Sequence, residues 1–547
     1  MSLGARTEPL TGTIASMQRS AISGLAGLVV VGVAACGVFG GDDPAAAAPP
    51  AAAAAADGGA DGEAGLPPVG GSVDAALAVE VVPGSLLIQG ATTKVTVKVT
   101  RGEGTPDPAK ITVSGGLRDG ITATSLDVPV GTMTAQISIT VPAATPQGAL
   151  HLTLTASTPL RTVMAPYEAF VRGRPGSLDT TFGTGGLVRH LFGAGKNARA
   201  TDLVVLPDDR LLAVANCNNA CVVRTSPDGA LDMAYGTGGS AALGVLFVGQ
   251  AGTDSTGALF LGGNGGAGSL TVGKLSPAGK PDLAFGSSNG VAQFGMLNGP
   301  PEMTPPSLTV RKDGVLVLGF PRTHGNAIQT VGVAARTSTG APLPGFGTAG
   351  VTEGVTGGQP ALGTRANGNI WTAFLDPNGC FVNQQDGATG ANDPAFGGRN
   401  LPPIAGTNSS WTLGAAATLP DGSLVPAFHS GTKVLVPKFT PDGSSIDLAW
   451  GISGVATIDD DGIPSLSVDT SGQVLATLLR AGGLRFTRLA ANGNRDVTFG
   501  DNGFVVHSFG MNHVIARALV QKDGRIVVVG SEDFVDGTDV SLTRYWN

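Results

Sequence analysis

The sequence predicts an all-β protein, in which a β-sandwich (residues 73–172) precedes a seven-bladed β-propeller (residues 173–547). Three observations lead to this prediction: an aromatic-Gly motif occurs seven times, strand and turn signals recur with it, and alternating apolar residues fill a stretch before the first motif. The composition agrees, because 85 Gly and 14% charged residues suit many short strands joined by tight turns. A chain of 547 residues is long enough for two or three domains.

The aromatic-Gly motif sets the period of the second domain. Successive aromatic residues are 53, 50, 61, 50, 54 and 49 positions apart, a spacing in the range of propeller blades. In six of the seven motifs an Asp stands three residues before the aromatic, and Leu343 replaces it in the other. The aromatic residues are Phe182, Tyr235, Phe285, Phe346, Phe396, Trp450 and Phe499, and the acidic residues are Asp179, Asp232, Asp282, Asp393, Asp447 and Asp496.

Four strands are predicted for each repeat. Each contains a strand–turn–strand such as "LVVLPDDRLLAVA" (203–215) or "VQKDGRIVVVG" (520–530). Most of these turns contain Asp-Gly, Asn-Gly or Ser-Gly, which is typical of hairpins. A third strand follows, and a segment after the aromatic-Gly motif supplies a fourth. Four-stranded units in sevenfold repetition favour a closed ring, which removes exposed sheet edges.

These repeats resemble the delta-60 repeat, whose pattern is roughly "PDGKILVAG…ARYNPDGSLDTSFGTGG". Residues 176–186, 520–530 and 541–547 match it well, and the resemblance covers about residues 176–547. It implies a propeller-like fold of bacterial surface and secreted proteins, with no established catalytic residues. Two repeats depart from the pattern: one has Leu343 and an interval of 61 residues, and the next has Asn383 where others carry Arg or Lys.

A basic residue recurs near the end of the last strand of the repeats. In most of them the recurrent Asp follows about eight residues later, across a turn. We interpret the two as a structural pair that ties one blade to the next turn, and the recurrent aromatic residues as wedges between blades. The basic residues are Arg224, Lys274, Arg336, Lys438, Arg488 and Arg544.

The N-terminal segment predicts export and lipid anchoring. Residues 23–35 form an apolar run of 13 residues, too short to span a bilayer, which needs about 20, but typical of a signal peptide. The end of this run, Val33-Ala34-Ala35, together with Cys36 resembles the bacterial lipobox. The resemblance implies cleavage before a diacylated Cys36 and, because Gly37 is not Asp, sorting to the outer membrane. An ordinary secretory signal with a chance Cys is the alternative. Residues 1–36 thus form the lipoprotein signal.

Residues 37–72 are rich in Ala, Pro and Gly and are predicted to form a disordered linker. Strand-like segments then fill residues 73–172, where "KVTVKVT" (94–100) shows the period-two alternation of a strand with one wet face. This stretch resembles bacterial immunoglobulin-like (Ig-like) repeats of extracellular proteins. The resemblance implies a spacer, with adhesion as the alternative.

Four cysteines limit the redox and metal chemistry of the chain. They include no CxxC pair, so a zinc site is not indicated. Cys217 and Cys221 bracket a predicted loop between two strands, and export favours a disulfide between them. Cys380 is expected to be a free, buried thiol.

Several function classes are disfavoured. A net charge of −8 argues against nucleic-acid binding, and we find no GxSxG, HExxH or GxxxxGK motif. We therefore expect no cofactor, no metal and no catalytic residue. Asp459-Asp460-Asp461-Gly462 resembles half of a calcium loop but lacks the alternating spacing, which favours a solvated turn.

The sequence favours a non-enzymatic cell-envelope lipoprotein whose propeller binds a protein or glycan partner and whose contact with the membrane is its lipid anchor. A hydrolase or lyase with a site in the central funnel is the alternative. Recognition is expected where the repeats differ, around Asn298–His324 and Asp376–Asp386.

Overall fold

A computed structural model describes residues 77–547 with internal gaps, and its described residues form strands and turns. Among them no helix is long and apolar enough to cross a membrane. Cys36, the linker 37–72 and parts of both expected recognition segments (298–305, His324 and 377–378) lie outside the described residues. The gaps are 82–85, 103–106, 190, 193–196, 265–268, 288, 295–305, 324–328, 377–378, 395, 397–398, 402–410, 481–482, 508–513 and 535–536.

The chain divides into two compact units. The first contains the described residues up to Thr181 together with Trp546, and the second contains Phe182–Tyr545 and Asn547. The strands of the first unit are β1 (Leu77–Val81), β2 (Leu87–Ile88), β3 (Ala91–Arg101), β4 (Ala109–Gly115), β5 (Thr122–Ala123), β6 (Leu126–Val128), β7 (Thr134–Val141), β8 (Gly148–Ser157) and β9 (Thr162–Arg172).

Two sheets of the first unit share one hydrophobic core. Their strand orders are β1-β3-β7-β5 and β2-β9-β8-β4-β6. The alternation predicted for "KVTVKVT" is present in β3, where Val95, Val97 and Val99 are buried while Lys94 and Lys98 are exposed. Burying each of these Val side chains contributes roughly 1.5–3 kcal/mol relative to leaving it in water.

The second unit contains 28 strands among its described residues. They are β10 (Leu187–Val188), β11 (Arg199–Val205), β12 (Leu211–Asn216), β13 (Ala220–Thr225), β14 (Ser240–Leu243), β15 (Leu246–Thr253), β16 (Leu259–Asn264), β17 (Leu270–Leu275), β18 (Val291–Phe294), β19 (Ser307–Val310), β20 (Leu316–Thr323), β21 (Gln329–Arg336), β22 (Val351–Thr356), β23 (Ala361–Thr364), β24 (Ile370–Asp376), β25 (Gly379–Gln385), β26 (Arg399–Leu401), β27 (Trp411–Thr418), β28 (Leu424–Ser430), β29 (Lys433–Pro437), β30 (Val455–Ile458), β31 (Ile463–Val468), β32 (Val474–Arg480), β33 (Gly483–Leu489), β34 (Phe504–His507), β35 (Val514–Val520), β36 (Ile526–Phe534) and β37 (Gly537–Tyr545).

These strands form antiparallel four-stranded sheets, which we number along the chain. Sheets 1 to 6 are β11–β14, β15–β18, β19–β22, β23–β26, β27–β30 and β31–β34, and sheet 7 has the order β10-β37-β36-β35. The first strand of each sheet contacts the first strand of the next, and β35 of sheet 7 contacts β11 of sheet 1. The first strands therefore surround a common centre, and the unit is a β-propeller.

The last sheet combines both ends of this unit. Strand β10 pairs with β37, with Leu187 opposite Thr543 and Val188 opposite Leu542. The outermost strand of the last sheet thus comes from the start of the repeat region, just after Gly176–Gly186. Each aromatic-Gly motif consequently lies before the outermost strand of a sheet.

Hydrophobic cores lie between neighbouring sheets. Between sheets 1 and 2, Val214 and Val222 share a core with Leu259 and Leu261. All residues of β13 and β16 are buried, because their sheets are covered on both faces. This packing accounts for the nearly continuous apolar runs that precede and follow each hairpin turn.

Candidate functional site

The recurrent basic residue joins neighbouring sheets. In sheet 1, Nε of Arg224 donates to Oδ2 of Asp232 at 2.8 Å. Its guanidinium lies 4.5 Å from the centroid of the Tyr235 ring. Its Nη1 also donates to the carbonyl of Pro277 in sheet 2 at 2.6 Å. One side chain therefore links an acid, an aromatic ring and the next sheet.

The same pair recurs in three further sheets. Its nitrogen–oxygen distances are 2.9 Å for Lys274–Asp282, 3.0 Å for Lys438–Asp447 and 2.6 Å for Arg488–Asp496. The hydrogen bond from each Lys lowers the pKa of Asp282 and of Asp447. These carboxylates therefore stay charged well into the acidic range.

The remaining two recurrent acids have different partners. Asp179 belongs to the first unit, is buried, and its Oδ1 accepts hydrogen bonds from the backbone N–H and the hydroxyl of Thr181. Asp393 accepts a hydrogen bond at 2.7 Å from the amide of Gln384. The acid is thus kept in sheet 4, where an amide side chain replaces the Arg or Lys of the pairs described above.

The aromatic residues of the motif are buried against the following sheet. All seven are at most 2% exposed. The N–H of Gly236, next to Tyr235, donates to the carbonyl of Ala278 in sheet 2 at 2.8 Å. A Cβ atom added to Gly279 would lie 2.8 Å from the Tyr235 ring. The turn glycine of one sheet therefore makes room for the aromatic residue of the sheet before it.

In sheets 3 and 4, the residue at the basic position differs from the one that the sequence analysis assigned to it. The N–H of Asp232 donates to the carbonyl of Arg224, and the equivalent bonds in sheets 3 and 4 run to Ala335 and Gln384. Arg336 and Asn383, which the sequence placed there, are therefore each one residue out of register. A shift of one residue in a strand moves a side chain to the opposite face.

Other arginines bridge the sheets at these two places. Nη1 of Arg311 in sheet 3 donates to the carbonyl of Gly387 in sheet 4 at 2.7 Å. Nη1 of Arg365 in sheet 4 donates to the carbonyl of Gly422 in sheet 5 at 2.9 Å. The link between neighbouring sheets is thus preserved by side chains from the first hairpin turn.

A disulfide joins Cys217 and Cys221 at the turn between β12 and β13. Asn218 within this turn has a φ of 75°, a conformation that Asn adopts more readily than most residues. The disulfide borders a groove of about 700 Å³, whose lining also includes Asn197 and Lys280. The side chain of Cys380 lies outside the described residues, so its state stays a prediction.

A second cavity, of about 200 Å³, lies where the first strands of four sheets end. We call it the central cavity. Its apolar wall includes Val205, Val468 and Val520, the last residues of β11, β31 and β35. Its polar wall includes Asp469, Thr470 and Ser471 from the hairpin turn of sheet 6, Gln521 and Lys522 from that of sheet 7, and Asn547, which follows β37.

Gln521 is the most buried polar residue of the central cavity, at 2% exposure. Its Nε2 donates to the carbonyl of Asp209 at 3.2 Å, whereas its Oε1 has no hydrogen-bond partner among the described residues. Lys522 is exposed, and within the described part of the chain its ammonium forms no ion pair. The cavity thus offers an unused acceptor and an unpaired cation.

The half calcium loop has a structural use. Asp460 is 4% exposed, its Oδ1 accepts the N–H of Gly462, and its Oδ2 lies 2.6 Å from Nη1 of Arg485. The interpretation as a solvated turn is therefore wrong for Asp460. In the described residues, no group of three or more His, Cys, Asp or Glu side chains is placed to hold a metal ion.

The sequence did not point to the central cavity. Gln521 and Lys522 lie in an ordinary hairpin signal, "VQKDG", that closely resembles "VRKDG" (310–314) in sheet 3. What distinguishes them is the order of sheets around the ring, which sets the neighbours of each turn. Since a single repeat does not contain that information, comparison of the repeats could not reveal it.

No family model and no curated protein matches this chain. Among solved structures, a quinoprotein alcohol dehydrogenase-like protein from Bacteroides thetaiotaomicron matches with 11% identity and a TM-score of 0.36, over 79% of this chain and 96% of that one. The β-propeller domain of Nup133 from Vanderwaltozyma polyspora matches with 9% identity and a TM-score of 0.34, over 61% and 91% of the two chains.

Prolyl oligopeptidase B from Galerina marginata also matches, with 11% identity and a TM-score of 0.37, over 70% of this chain and 53% of that one. The names of these proteins differ widely. The class of this protein, an all-β protein with a β-propeller, therefore rests on its own sheets and their cyclic contacts.

Proposed function

We propose that this protein is a non-enzymatic lipoprotein of the cell envelope, whose propeller binds a protein or glycan partner. The observation that carries the binding role is the central cavity. It combines an apolar wall with a buried amide oxygen and an ammonium group that have no hydrogen-bond or ion-pair partner in the part of the chain that the structure describes. The charged and aromatic residues of the repeats are engaged between sheets. The partner is therefore bound by residues that differ from one sheet to the next.

The proposed architecture has four parts. Residues 1–36 are the lipoprotein signal with Cys36 as the lipidated residue, 37–72 are a linker, and 73–172 are an Ig-like sandwich acting as a spacer. Residues 173–547 are a seven-bladed propeller of delta-60-like repeats. The seven sheets formed by the described residues support that blade number, and the loops at Asn298–His324 and Asp376–Asp386 are further contact regions.

Fractionation tests the anchor. Wild-type protein should sediment with the envelope, and Cys36→Ser should release it into the soluble fraction because diacylation is lost. Cys380→Ser is the matched control, since it removes a cysteine that the proposal does not lipidate. A Cys36→Ser protein that remains in the envelope and is processed as wild type would contradict the anchor.

Capture of a partner tests the binding role. The soluble fragment 173–547 should retain a protein or glycan from envelope extracts, and replacing residues 298–306 by a short Gly-Ser linker should weaken capture without lowering the unfolding temperature. Unchanged capture would show that residues 298–306 do not contact the partner. Absence of any captured protein or glycan would contradict the binding role itself.

A further inference from the structure

We propose that the central cavity binds a single neutral pyranose, such as the end residue of a glycan, through two adjacent hydroxyl groups. This inference rests on the proposed binding function and narrows it to one ligand class and one place. At ~30 Å³ of liquid volume per water, about 200 Å³ corresponds to some six waters, which a sugar of one ring can replace.

The two walls of the cavity match the two kinds of surface on a pyranose. Val205, Leu419, Val468 and Val520 offer aliphatic groups to the C–H face of a ring. The hairpin turns of sheets 6 and 7 offer polar groups to its hydroxyl edge. A cavity that is mostly apolar with a few fixed polar groups is the usual form of a small-molecule site.

The polar groups supply both acceptors and donors. Oε1 of Gln521 is buried and has no hydrogen-bond partner in the described ranges. A buried acceptor without a donor costs free energy, which a ligand hydroxyl can recover by donating to it. Asp469 uses Oδ1 for the N–H and hydroxyl of Ser471, while its Oδ2 accepts one hydrogen bond, at 3.3 Å, from Asn547. Two acceptors are therefore open to hydroxyl donors.

Lys522 provides the complementary donor. Its own N–H is bound to Oδ1 of Asp209 at 2.9 Å, which fixes the backbone of the turn while the ammonium stays without an ion pair among the described residues. Adjacent hydroxyls each donate one hydrogen bond and accept others, so they satisfy Gln521, Asp469 and Lys522 together. Because Lys522 and Asp469 have opposite charges, the site favours a neutral ligand over an acid.

The test uses the full mature chain and a panel of free sugars: D-glucose, D-galactose, D-mannose and N-acetyl-D-glucosamine. Saturation-transfer NMR and calorimetry should show at least one of them binding with a millimolar dissociation constant. Lys522→Met should weaken that binding about tenfold, and Gln521→Met should weaken it at least as much. Sodium D-glucuronate should bind more weakly than the best neutral sugar, owing to Asp469.

Lys312→Met is the matched control. Lys312 occupies the same position of the same hairpin signal in sheet 3 and is also exposed, but it does not line the central cavity. It should leave sugar binding unchanged. If Gln521→Met fails to fold, Lys522→Met and Ser471→Ala decide the question, because both alter exposed or half-buried turn positions.

Two results would overturn this inference. One is that no sugar of the panel binds; the other is that a sugar binds equally well to wild type and Lys522→Met. If fragment 173–547 still captures a partner from envelope extracts in either case, the proposed function survives and the central cavity is not its site. If neither sugar nor partner binds, both proposals fail.

Discussion

Nη1 of Arg517 lies 2.5 Å from Oδ1 of Asp202, although 315 residues separate them in the sequence. Both side chains are buried. Arg517 lies on the first strand of sheet 7, Asp202 on that of sheet 1, and Oδ2 of Asp202 accepts the N–H of Ala251 in sheet 2 at 2.7 Å. This ion pair therefore connects three consecutive sheets at the closure of the ring.

Removal of one partner of this pair should destabilise the whole propeller. Asp202→Ala leaves the Arg517 cation buried without this carboxylate, and breaking a buried pair in this way costs about 3–5 kcal/mol. Urea unfolding followed by tryptophan fluorescence measures the loss. Asp208→Ala is the control, because Asp208 pairs with Arg210 at the surface, where such a pair contributes about 0–1 kcal/mol. Equal losses in the two variants would contradict the prediction.

The paired aspartates predict a specific loss of stability in acid. The hydrogen bonds from Lys274 and Lys438 lower the pKa of Asp282 and Asp447 from 3.8 in the folded state. Their charged forms therefore add stability at pH values above 3.8, and this contribution is lost as the pH falls through the lower, folded pKa values. Unfolding temperatures measured from pH 5 down to pH 2 should show this decline.

Substitution of either side of the pairs tests the cause of that decline. In Asp282→Asn/Asp447→Asn, the unfolding temperature should be lower at pH 5 and should fall less steeply below pH 4. Lys274→Met/Lys438→Met should flatten the profile in the same way, because it removes the donors that lower the two pKa values. A profile as steep as that of wild type in both variants would show that other groups control the acid sensitivity.

Two turn glycines separate the effect of side-chain contacts from that of backbone strain. Gly229 and Gly524 both have a φ of +86°. A Cβ atom at Gly229 would first meet Cγ2 of Val188 and would lie 2.9 Å from the Phe182 ring, whereas at Gly524 it would meet nothing within 4 Å. Gly229→Ala should therefore lower the free energy of unfolding by at least ~1 kcal/mol more than Gly524→Ala, which bears the cost of the positive φ alone. Equal effects would mean that Val188 and Phe182 move aside at little cost.

The disulfide should contribute a modest share of stability. It closes a ring of few residues, for which the loop-entropy relation gives roughly 2 kcal/mol. Cys217→Ser/Cys221→Ser should lose about that amount in urea unfolding, and wild-type protein isolated without reductant should label at neither cysteine. Mapping that finds both as free thiols would contradict the bond in the protein as exported.

The periodic part of the fold could be predicted from the sequence because each repeat carries its own signals. The aromatic-Gly motif and the hairpin turns recur every 49 to 61 residues, in most repeats with the Asp before the motif, and each corresponds to a local structure that forms within its own repeat. The pairing of Arg224 with Asp232 could be predicted for this reason, since both residues lie within one repeat on either side of a turn.

Features that depend on the ring as a whole could not be predicted in this way. The partnership of Arg517 with Asp202 and the central cavity bring together sheets from opposite ends of the repeat region. The register of sheets 3 and 4 was also missed, because the sequence analysis placed Arg336 and Asn383 at the basic position by residue type. Only the backbone pairing shows that Ala335 and Gln384 occupy the basic position.

The closure of the ring gives the final prediction. Deleting residues 541–547 removes the half of β37 that pairs with β10, including Leu542 and Thr543, and with it the link from Arg544 to the carbonyl of Pro227 in sheet 1. Sheet 7 then loses the hydrogen bonds that hold its outermost strand, and an unpaired edge is exposed. The unfolding temperature of the propeller should fall and aggregation should increase, as measured by calorimetry and light scattering.

A shorter truncation is the matched control for this deletion. Removing only residues 546–547 leaves β37 complete as far as Tyr545, with both pairings to β10 intact. It should unfold closer to the wild-type temperature than the longer deletion does. If the 541–547 deletion melts like wild type, pairing of β10 with β37 does not hold the ring closed, because the hydrogen bonds removed would have contributed nothing to its cooperative unfolding.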